Sequence, residues 1–577
     1  MVKGELTLRH LSGRKVSFDD AATLAPDDLE MRIELNDTNR PDLWSVEGIA
    51  RQLRDHARGY GGDYPCFSAE IASDQECARS IEVDPRLATI RPHIGGFYAT
   101  GHVMDENGLR AFIETQETLT RNYGRKRASV SIGLYRGDGL AFPLHYRAVA
   151  RDAVHFVPLA PAGTVADSWA VAQPVTPAEI LALHPTGREY ALLLAEQPLV
   201  PMLTDAGDNV LALIPIINSA DLGHVTPGTT ALFVEASGSE LDQVLLTLNI
   251  LAANLCDRGW TIAPVQTIYP YDTARGRRVN APHPLALTQR AVIDEFQRLL
   301  GEPASGDELQ ERLAAYGVKT QIIGNTLLAT APDYRQDYLH AVDVIEDYAI
   351  SRGYTGFVPT LPTDFTVGKL APMTEREDLI RDLLIGFGFE EAFCNILTSL
   401  EQLQRRMAIG GQDGGAQPFH GGTVVRIENV MNRNYAVLRD WIVPSLLEIE
   451  AHSLGALYPH RIFEVGEVAI HDPAANHGSR TESRAAGIIA DDNASFDSAQ
   501  TILYALLGYL GHEFVVRPWQ HPSFIPGRVG LVSTPDQRPL GFLGELSPQV
   551  LANWGVRTPI AAFELSLNAL CRPNAMA

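Results

Sequence analysis

The chain has little cysteine and no long apolar run, and both shortages limit what it can be. Its 577 residues include five cysteines, none of them in a C-x-x-C pair. Zinc sites and disulfide frameworks use closely spaced cysteines, so the scattered thiols predict neither and are typical of a reducing compartment. No segment approaches the roughly 18 apolar residues of a membrane span, and the polar start MVKGELTLRHLSGRK lacks the apolar region of a signal peptide. We therefore expect a cytoplasmic protein without a membrane segment.

Basic residues are also in the minority. Lys and Arg number 47 against 70 Asp and Glu, which gives a formal net charge of −23. Such a field repels a phosphate backbone, so nucleic acid would need a local basic patch or a partner chain. The sequence offers one basic run, Arg121, Arg125, Lys126 and Arg127. This run suits contact with phosphate and equally suits a solvated helix end, and charge alone does not decide between them.

Several common catalytic signatures are missing from the sequence. It has no H-E-x-x-H, no G-x-S-x-G and no G-x-x-x-x-G-K-[ST], which removes the motif support for a zinc protease, an α/β-hydrolase and a P-loop nucleotidase. At about 150 residues per domain, the length predicts three to five domains. Chemistry must therefore be sought in the arrangement of ordinary polar residues within a multidomain protein.

The pattern along the chain predicts an α+β multidomain fold. We expect an N-terminal domain over 1–75, an α/β domain over 85–265, a small helix–strand domain over 275–360 and an antiparallel-sheet module over 365–577. Helical spacing is clear over 109–123 and over 241–259, the latter closed by Gly259. Between Thr320 and Pro332, the dipeptide Gly324-Asn325 predicts a hairpin.

Four carboxylates form the most informative cluster: Asp337, Asp343, Glu346 and Asp347. The last three are spaced i, i+3 and i+4, so they share one face of a predicted helix. Like charges this close need water, a cation or basic partners, and a set of oxygen ligands suits Mg²⁺. A solvated acidic helix face has the same pattern.

Segments spread over nearly the whole chain resemble, in the same order, the β subunit of phenylalanyl-tRNA synthetase of the archaeal and eukaryotic cytosolic type. They are NDTNRPDLWSVEGIARQLR, GRKRASVSIGLY, HPTGREYALLL, PIINS, LFVEASGSELD, APDYRQDYLHAVDVIEDYAISRGY, NYAVLRDWIVPSLL, RIFEVGEVA, HPSFIPGRVG and LGFLGELSPQVL. The resemblance implies a B3/B4-like editing domain over 85–265, a B5-like domain over 275–360 and a degenerate class II synthetase module over 365–577.

Family membership would imply a division of labour between two subunits. The α subunit uses ATP to make phenylalanyl-adenylate and charges tRNA(Phe). The β subunit completes an (αβ)₂ heterotetramer, binds tRNA and hydrolyses misacylated Tyr-tRNA(Phe). In the family, carboxylates matching Asp337, Asp343, Glu346 and Asp347 hold Mg²⁺, and the basic run 121–127 is the candidate tRNA contact here.

The last module resembles a class II synthetase core that has lost its activity. Arg461-Ile462-Phe463-Glu464 resembles the second class II motif. The third motif should end its strand in an ATP-binding arginine, whereas AFELSLNAL offers Glu564. We therefore expect that this chain does not form adenylate.

By position in the family motif, the editing site is expected to contain Val210, Ser219, Glu235 and Ser237. Glu235 and Ser237 are two apart, so they face the same side of a strand. A carboxylate there could accept a hydrogen bond from a phenol or hold an ammonium group, and the sequence does not choose. All four residues could also be ordinary strand-end polar groups.

Two rival functions remain open at this stage. One is a scaffold paralogue whose editing has decayed, and the other is a stand-alone deacylase for mischarged tRNA. The B5-like and class II-like regions face the α subunit in the family, and their retention argues against the stand-alone deacylase.

Overall fold

A computed structural model describes residues 4–10, 15–17, 23–25, 29–68, 77–160, 173–410, 423–453 and 455–571. The chain divides into two compact units, 1–361 and 362–577. Among the helices so described, none is long and apolar enough to cross a membrane.

The first unit contains three sheets and the helices that cover them. Its strands are β1 (Gly4–His10), β2 (Lys15–Val16), β3 (Leu29–Leu35), β4 (Ser80–Val83), β5 (His93–Thr100), β6 (Val130–Arg136), β7 (Leu144–Ala150), β8 (Leu199–Thr204), β9 (Val210–Leu213), β10 (Ile217–Asn218), β11 (Leu232–Gly238), β12 (Thr261–Ile268), β13 (Arg278–Ala281), β14 (Thr288–Val292), β15 (Lys319–Ile323) and β16 (Thr326–Thr330). Its helices are α1 (Val46–Arg58), α2 (Glu106–Arg121), α3 (Pro177–Leu183), α4 (Pro185–Tyr190), α5 (Leu241–Asp257), α6 (Ile293–Leu300), α7 (Gly306–Ala314) and α8 (Ala341–Arg352).

The largest sheet runs in the order β10-β9-β8-β7-β4-β12-β5-β11-β6, with β13 paired to β12. Neighbours are antiparallel except where β4 meets β12 and β7. Helix α5 packs on β5 and β11, and nearly all of its positions are buried because its sequence is apolar on every face. The helix ends before Gly259, which has φ of +89°. This confirms the predicted helix over 241–259.

The small sheet of the first unit has the order β14-β16-β15. Strands β15 and β16 pair antiparallel from Ile323 opposite Thr326, and Gly324 between them has φ of +60°. This confirms the hairpin predicted at Gly324-Asn325. Helices α6, α7 and α8 enclose a core with the sheet, built from side chains such as Phe296, Leu313 and Tyr348.

The strands of the second unit are β17 (Glu390–Glu391), β18 (Leu397–Thr398), β19 (Val437–Leu438), β20 (His460–His471), β21 (Ser479–Ala490), β22 (Val515–Pro518), β23 (Phe524–Ser533), β24 (Pro539–Leu546) and β25 (Ile560–Ser566). Its helices are α9 (Pro372–Gly386), α10 (Val443–His452), α11 (Phe496–Tyr509), α12 (Pro548–Trp554) and α13 (Leu567–Leu570). The main sheet has the order β17-β20-β21-β25-β24-β23-β22, and β18 pairs with β19 apart from it. The pairs from β20 to β22 along this order are antiparallel, and β17 runs parallel to β20.

A mixed α/β, multi-sheet architecture is therefore confirmed. The finer division into four domains with the boundaries given above stays a prediction, since the chain separates only into the two compact units.

Candidate functional site

A cavity of about 520 Å³ lies beside strands β6 and β11, at the edge of the large sheet. We call it the sheet-edge cavity; helix α2 and the segment 212–218 form its other walls. Much of the wall is aliphatic, from residues such as Ile113, Leu134 and Ile216. Its polar lining residues are Gln116, Glu117, Arg127, Ser131, Tyr135, Thr186, Asn218, His224 and Glu235. An apolar concavity with a few convergent polar groups is the usual form of a small-molecule site.

Strand β11 carries Glu235 to this cavity. The whole strand is buried between β5 and β6, so alternation decides which face each side chain takes. Glu235 stands opposite Gly133 in β6 and Gly96 in β5. A Cβ atom added at Gly133 would lie 2.6 Å from a carboxylate oxygen of Glu235. The glycine therefore leaves the space that the Glu235 side chain occupies.

The Glu235 carboxylate has one partnered oxygen and one without a partner. The Tyr135 hydroxyl donates to Oε2 over 3.3 Å. Within the described residues, Oε1 is buried and accepts no hydrogen bond, and the residue is 2% exposed. Burial raises the pKa of Glu235 to about 7. Because a buried acceptor without a donor is costly, this oxygen suits a ligand that brings its own hydrogen-bond donor.

Replacing Glu235 by glutamine should stabilise the fold in a pH-dependent way. The folded pKa of about 7 exceeds the ordinary value of 4.5, so the stability linked to the protonated acid is present below pH 4.5 and lost as pH rises through 7. Glutamine stays neutral throughout. We expect the variant to be more stable than the parent by less than about 1 kcal/mol at pH 5 and by about 3 kcal/mol at pH 8.

Denaturant unfolding at the two pH values measures this difference. Glu196→Gln, at an exposed position of the same unit, is the control and should behave alike at both. An equal gain for Glu235→Gln at pH 5 and pH 8 would contradict the raised pKa.

The other three expected editing residues do not line the sheet-edge cavity. Ser237 lies beneath it, where its hydroxyl contacts Arg91 and Ser131. Ser219 is 2% exposed, and its hydroxyl accepts from the amide of Leu222. Val210 begins β9 and packs against the separate apolar cluster around Ile180 and Val200. The structure thus brings only Glu235, of these four, to the cavity.

Sequence reasoning missed most of the polar residues that do line it. Ser131, Gly133 and Tyr135 alternate along β6 and pair across the strands with Ser237, Glu235 and Phe233. Had β6 been placed beside β11, the same alternation would have assigned them to the cavity. His224 comes from a connecting segment and Asn218 from the two-residue strand β10, and neither is long enough to give a periodic signal.

The basic run is divided between the cavity and the surface. Arg127 lines the cavity; its guanidinium donates to the carbonyl of Ile216 over 2.7 Å and lies 4.2 Å from the ring centre of Tyr190. Arg121, Arg125 and Lys126 are exposed on the adjoining turn. The four residues therefore form one basic patch beside the cavity.

The four carboxylates predicted for a metal lie around a second, much smaller cavity of about 30 Å³. Asp343, Glu346 and Asp347 reach it from helix α8, which confirms their shared face, and Asp337 reaches it from the preceding segment. Other lining residues include Asp37, Asn39, Arg40 and Gln52.

Two of these carboxylates already have a cation. Arg335, whose side chain is 1% exposed, lies 2.5 Å from Asp337 and 2.8 Å from Asp347. Burial alone would raise the pKa of Asp337, but the Arg335 guanidinium outweighs burial and the pKa is lowered. Tyr338 also donates to Asp347 over 2.7 Å. These two acids share the positive charge of Arg335 within the chain.

The other two carboxylates, Asp343 and Glu346, supply fewer ligands than a complete metal site needs. Oδ2 of Asp343 accepts the amides of Leu339 and His340 at 2.8 and 2.7 Å, which leaves Oδ1 as a possible ligand. Among the described residues, no three His, Cys, Asp or Glu side chains converge closely enough to hold an ion. Mg²⁺ commonly takes only one or two carboxylates and keeps several waters, so Asp343 and Glu346 are the ligands this chain could offer.

In the second unit, buried ion pairs stand where class II chemistry would be sought. Glu464 accepts two hydrogen bonds from Arg439, at 2.9 and 2.6 Å. Glu564 lies 2.9 Å from Arg484. The other oxygen of Glu564 accepts the amides of Ile442 and Val443 at the start of α10. Glu564 is thus a structural acceptor whose oxygens are all engaged.

Family models match most of the second unit and the small sheet domain of the first. The model described as "Phenylalanyl tRNA synthetase beta chain CLM domain" matches residues 358–567. The model described as "tRNA synthetase B5 domain" matches residues 290–354.

Curated relatives match almost the full chain. The phenylalanine–tRNA ligase beta subunit of Treponema pallidum subsp. pallidum is 39% identical over 94% of this chain and 86% of that protein. The same subunit from Pyrococcus furiosus is 35% identical over 94% of this chain and 92% of that protein. A crystallised N-terminal fragment of the Pyrococcus horikoshii phenylalanyl-tRNA synthetase beta subunit superposes with a TM-score of 0.52 at 28% identity, covering 61% of this chain and all of the fragment. The chain belongs to the phenylalanine–tRNA ligase beta-subunit family.

Proposed function

We propose that this chain pairs with an α subunit as an (αβ)₂ heterotetramer in the cytoplasm, binds tRNA(Phe) and hydrolyses Tyr-tRNA(Phe) in the sheet-edge cavity. The single observation that carries the editing assignment is the buried, unpartnered Oε1 of Glu235 beside an otherwise largely aliphatic wall. Of the two roles open to Glu235, accepting the tyrosine hydroxyl fits this arrangement better than holding an ammonium group, because the ammonium is common to tyrosine and phenylalanine.

The physical need for such a site follows from the charging reaction. A pocket shaped for phenylalanine rejects an added hydroxyl only weakly, by a factor on the order of 10². A site that must hydrogen-bond the hydroxyl has the opposite preference, since phenylalanine would leave the buried Glu235 oxygen without a donor. Discrimination by such polar sites can reach roughly 10⁴. Hydrolysis in this cavity would therefore remove the tyrosyl product and spare the phenylalanyl one.

Adenylate formation belongs, in this proposal, to the α subunit with ATP and Mg²⁺. The purified chain alone should exchange no pyrophosphate into ATP in the presence of phenylalanine, because Glu564 occupies the place of the ATP-binding arginine and its oxygens hold Arg484 and the start of α10. The assay is radioactive exchange, with the αβ complex as the positive control. Robust exchange by the chain free of α would contradict this assignment.

We also propose that Asp343 and Glu346 bind a Mg²⁺ ion that supports association with α. Arg335 then links Asp337, in the segment before α8, to Asp347 on the helix. A hydrated Mg²⁺ needs few protein ligands, so a pair of carboxylates from this chain would suffice when α supplies the rest. The ion would add positive charge to this acidic face of α8.

The double variant Asp343→Asn plus Glu346→Gln should lose the Mg²⁺ dependence of association with α. Asparagine keeps an acceptor for the amides of Leu339 and His340, just before α8, so the start of the helix should remain intact. Mg²⁺ affinity should fall at least roughly tenfold. Sedimentation of the two subunits over a Mg²⁺ series measures the effect. The matched control is Asp307→Asn plus Glu311→Gln on the exposed face of α7, and a double variant that behaves like this control would rule out the metal role.

Two other functions make different predictions for the same preparations. A scaffold paralogue with decayed editing would assemble with α but leave Tyr-tRNA(Phe) intact. A stand-alone deacylase would hydrolyse Tyr-tRNA(Phe) at full rate without α. Hydrolysis of Tyr-tRNA(Phe) that requires α, or is accelerated by it, would distinguish the proposed function from both the scaffold and the stand-alone deacylase.

A further inference from the structure

The basic turn beside the sheet-edge cavity has an unusual backbone. Arg125, Lys126 and Arg127 are consecutive non-glycine residues with φ of 48°, 54° and 68°. The left-handed region costs free energy for any residue with a Cβ atom, and three in a row persist only when the surroundings hold them. The amides of Lys126 and Arg127 donate back to the carbonyls of Arg121 and Thr120 at the end of α2. These bonds fix one side of the turn.

The other side of the turn is held by Arg91, which lies just before β5 and is 6% exposed. One Nη of its guanidinium donates to the carbonyls of Arg127 and Ala128 at 3.1 and 3.2 Å. The other Nη donates to the Ser131 hydroxyl at 3.1 Å and the Ser237 carbonyl at 2.6 Å. Nε donates to the Ser237 hydroxyl at 3.1 Å. A single side chain thus ties the turn to strands β6 and β11.

These two strands form the floor of the cavity. Ser237 is two residues from Glu235, and Ser131 is two residues from Gly133, which makes room for that carboxylate. On the opposite side, Arg127 donates to the Ile216 carbonyl and lines the cavity wall. A shift of Arg91 would therefore move the floor, the wall and the exposed cations relative to one another.

The bonds of Arg91 are also unusual for a buried arginine. Its partners are carbonyl and hydroxyl oxygens, and no carboxylate in the described part of the chain pairs with it. Burying an unpaired cation is expensive, whereas a neutral residue could have supplied some of these bonds. Only a planar fork of five N–H donors reaches all three segments at once. The position therefore requires the planar, five-donor geometry of an arginine side chain.

We propose that Arg91 is a positioning residue for editing, which holds the left-handed turn so that Arg125 and Lys126 bind phosphates of the tRNA acceptor end while the aminoacyl group enters the sheet-edge cavity. This inference rests on the proposed editing function. RNA phosphates are the ligand class that suits two exposed cations beside an acidic protein's cavity, since each neutralised phosphate adds salt-dependent affinity.

The test uses the chain in complex with α and tRNA(Phe) carrying tyrosine. Arg91→Lys keeps the positive charge but cannot bridge the three segments. Arg91→Met removes both the charge and the hydrogen bonds. We expect both variants to raise KM for Tyr-tRNA(Phe) roughly five- to twentyfold, with kcat changed less than about threefold, and to flatten the salt dependence of kcat/KM. Arg125→Gln plus Lys126→Gln should give the same pattern. Adding Arg91→Lys to that pair should give little further loss, because both changes remove one interaction.

Several outcomes would overturn the proposal. A parental KM in the Arg91→Lys variant would mean that the charge of Arg91 alone matters. Additive effects on KM when Arg91→Lys is combined with the Arg125→Gln plus Lys126→Gln pair would mean that Arg91 and the turn act separately. Thermal melting checks that the variants fold. If neither Arg91 variant folds, Ser237→Ala removes one acceptor of Arg91 and should raise KM about two- to fivefold with the same flattened salt dependence; an unchanged KM and salt dependence would refute the inference. Failure of the parent complex to hydrolyse Tyr-tRNA(Phe) would instead refute the proposed function.

Discussion

Replacing Glu235 by alanine should slow hydrolysis of Tyr-tRNA(Phe) by the αβ complex roughly ten- to a hundredfold, because a hydrogen bond to a buried charged group contributes on the order of 1.5–3 kcal/mol. The carboxylate is buried, and its Oε1 accepts no bond within the described residues. A tyrosine hydroxyl would provide that bond in the bound substrate. The rate of tyrosine release under single-turnover conditions is the measurement.

Two controls separate this effect from general damage. Glu196→Ala removes an exposed carboxylate of the same unit and should leave hydrolysis unchanged. Charging of tRNA(Phe) with phenylalanine should also be unchanged, because the proposed function assigns that reaction to α. An equal slowing of residual Phe-tRNA(Phe) hydrolysis would assign Glu235 to the ammonium group instead. Equal rates for Glu235→Ala and the parent would show that editing lies elsewhere or is absent.

Replacing Glu564 by alanine should destabilise the second unit by about 3–5 kcal/mol, the usual cost of removing one partner of a buried ion pair. Arg484, whose side chain is 2% exposed, would keep Glu482 at 3.0 Å but lose the more deeply buried of its two carboxylate partners. The amides of Ile442 and Val443 would lose their acceptor as well. Denaturant unfolding of the full chain, followed on the transition of this unit, gives the value.

The matched control is Glu401→Ala, which removes an exposed ion pair with Arg405 and should cost less than about 1 kcal/mol. A loss for Glu564→Ala no larger than this control would mean that Glu564 is not the structural acceptor described here. The proposal that this chain forms no adenylate would then have to rest on other residues.

The sequence predicts the local elements of this chain well because their signals are local. Helical spacing and Gly259 define the helix that packs on β5 and β11, and Gly324-Asn325 defines the hairpin of the small sheet. The i, i+3, i+4 spacing likewise places three carboxylates on one face of α8. In each case the deciding residues lie within one or two turns of each other.

The candidate site depends on contacts that are distant in sequence, and here the sequence is less informative. Alternation correctly gives Glu235 and Ser237 the same face of β11, but it cannot say that Arg91, 146 positions away, covers Ser237. Family position likewise suggests Val210 and Ser219, whereas Val210 packs in a separate apolar cluster and the Ser219 hydroxyl accepts from the amide of Leu222. The acidic cluster is visible in sequence, yet the pairing of two of its members, Asp337 and Asp347, with Arg335 depends on the fold.

The most direct test of the central claim is hydrolysis of Tyr-tRNA(Phe) and Phe-tRNA(Phe) by the unmodified chain, measured with and without α. A site that offers Glu235 to a phenol predicts that the αβ complex releases tyrosine at least roughly tenfold faster than phenylalanine. Equal release of the two amino acids, or no release of tyrosine above the spontaneous rate, would contradict the assignment of the sheet-edge cavity as an editing site.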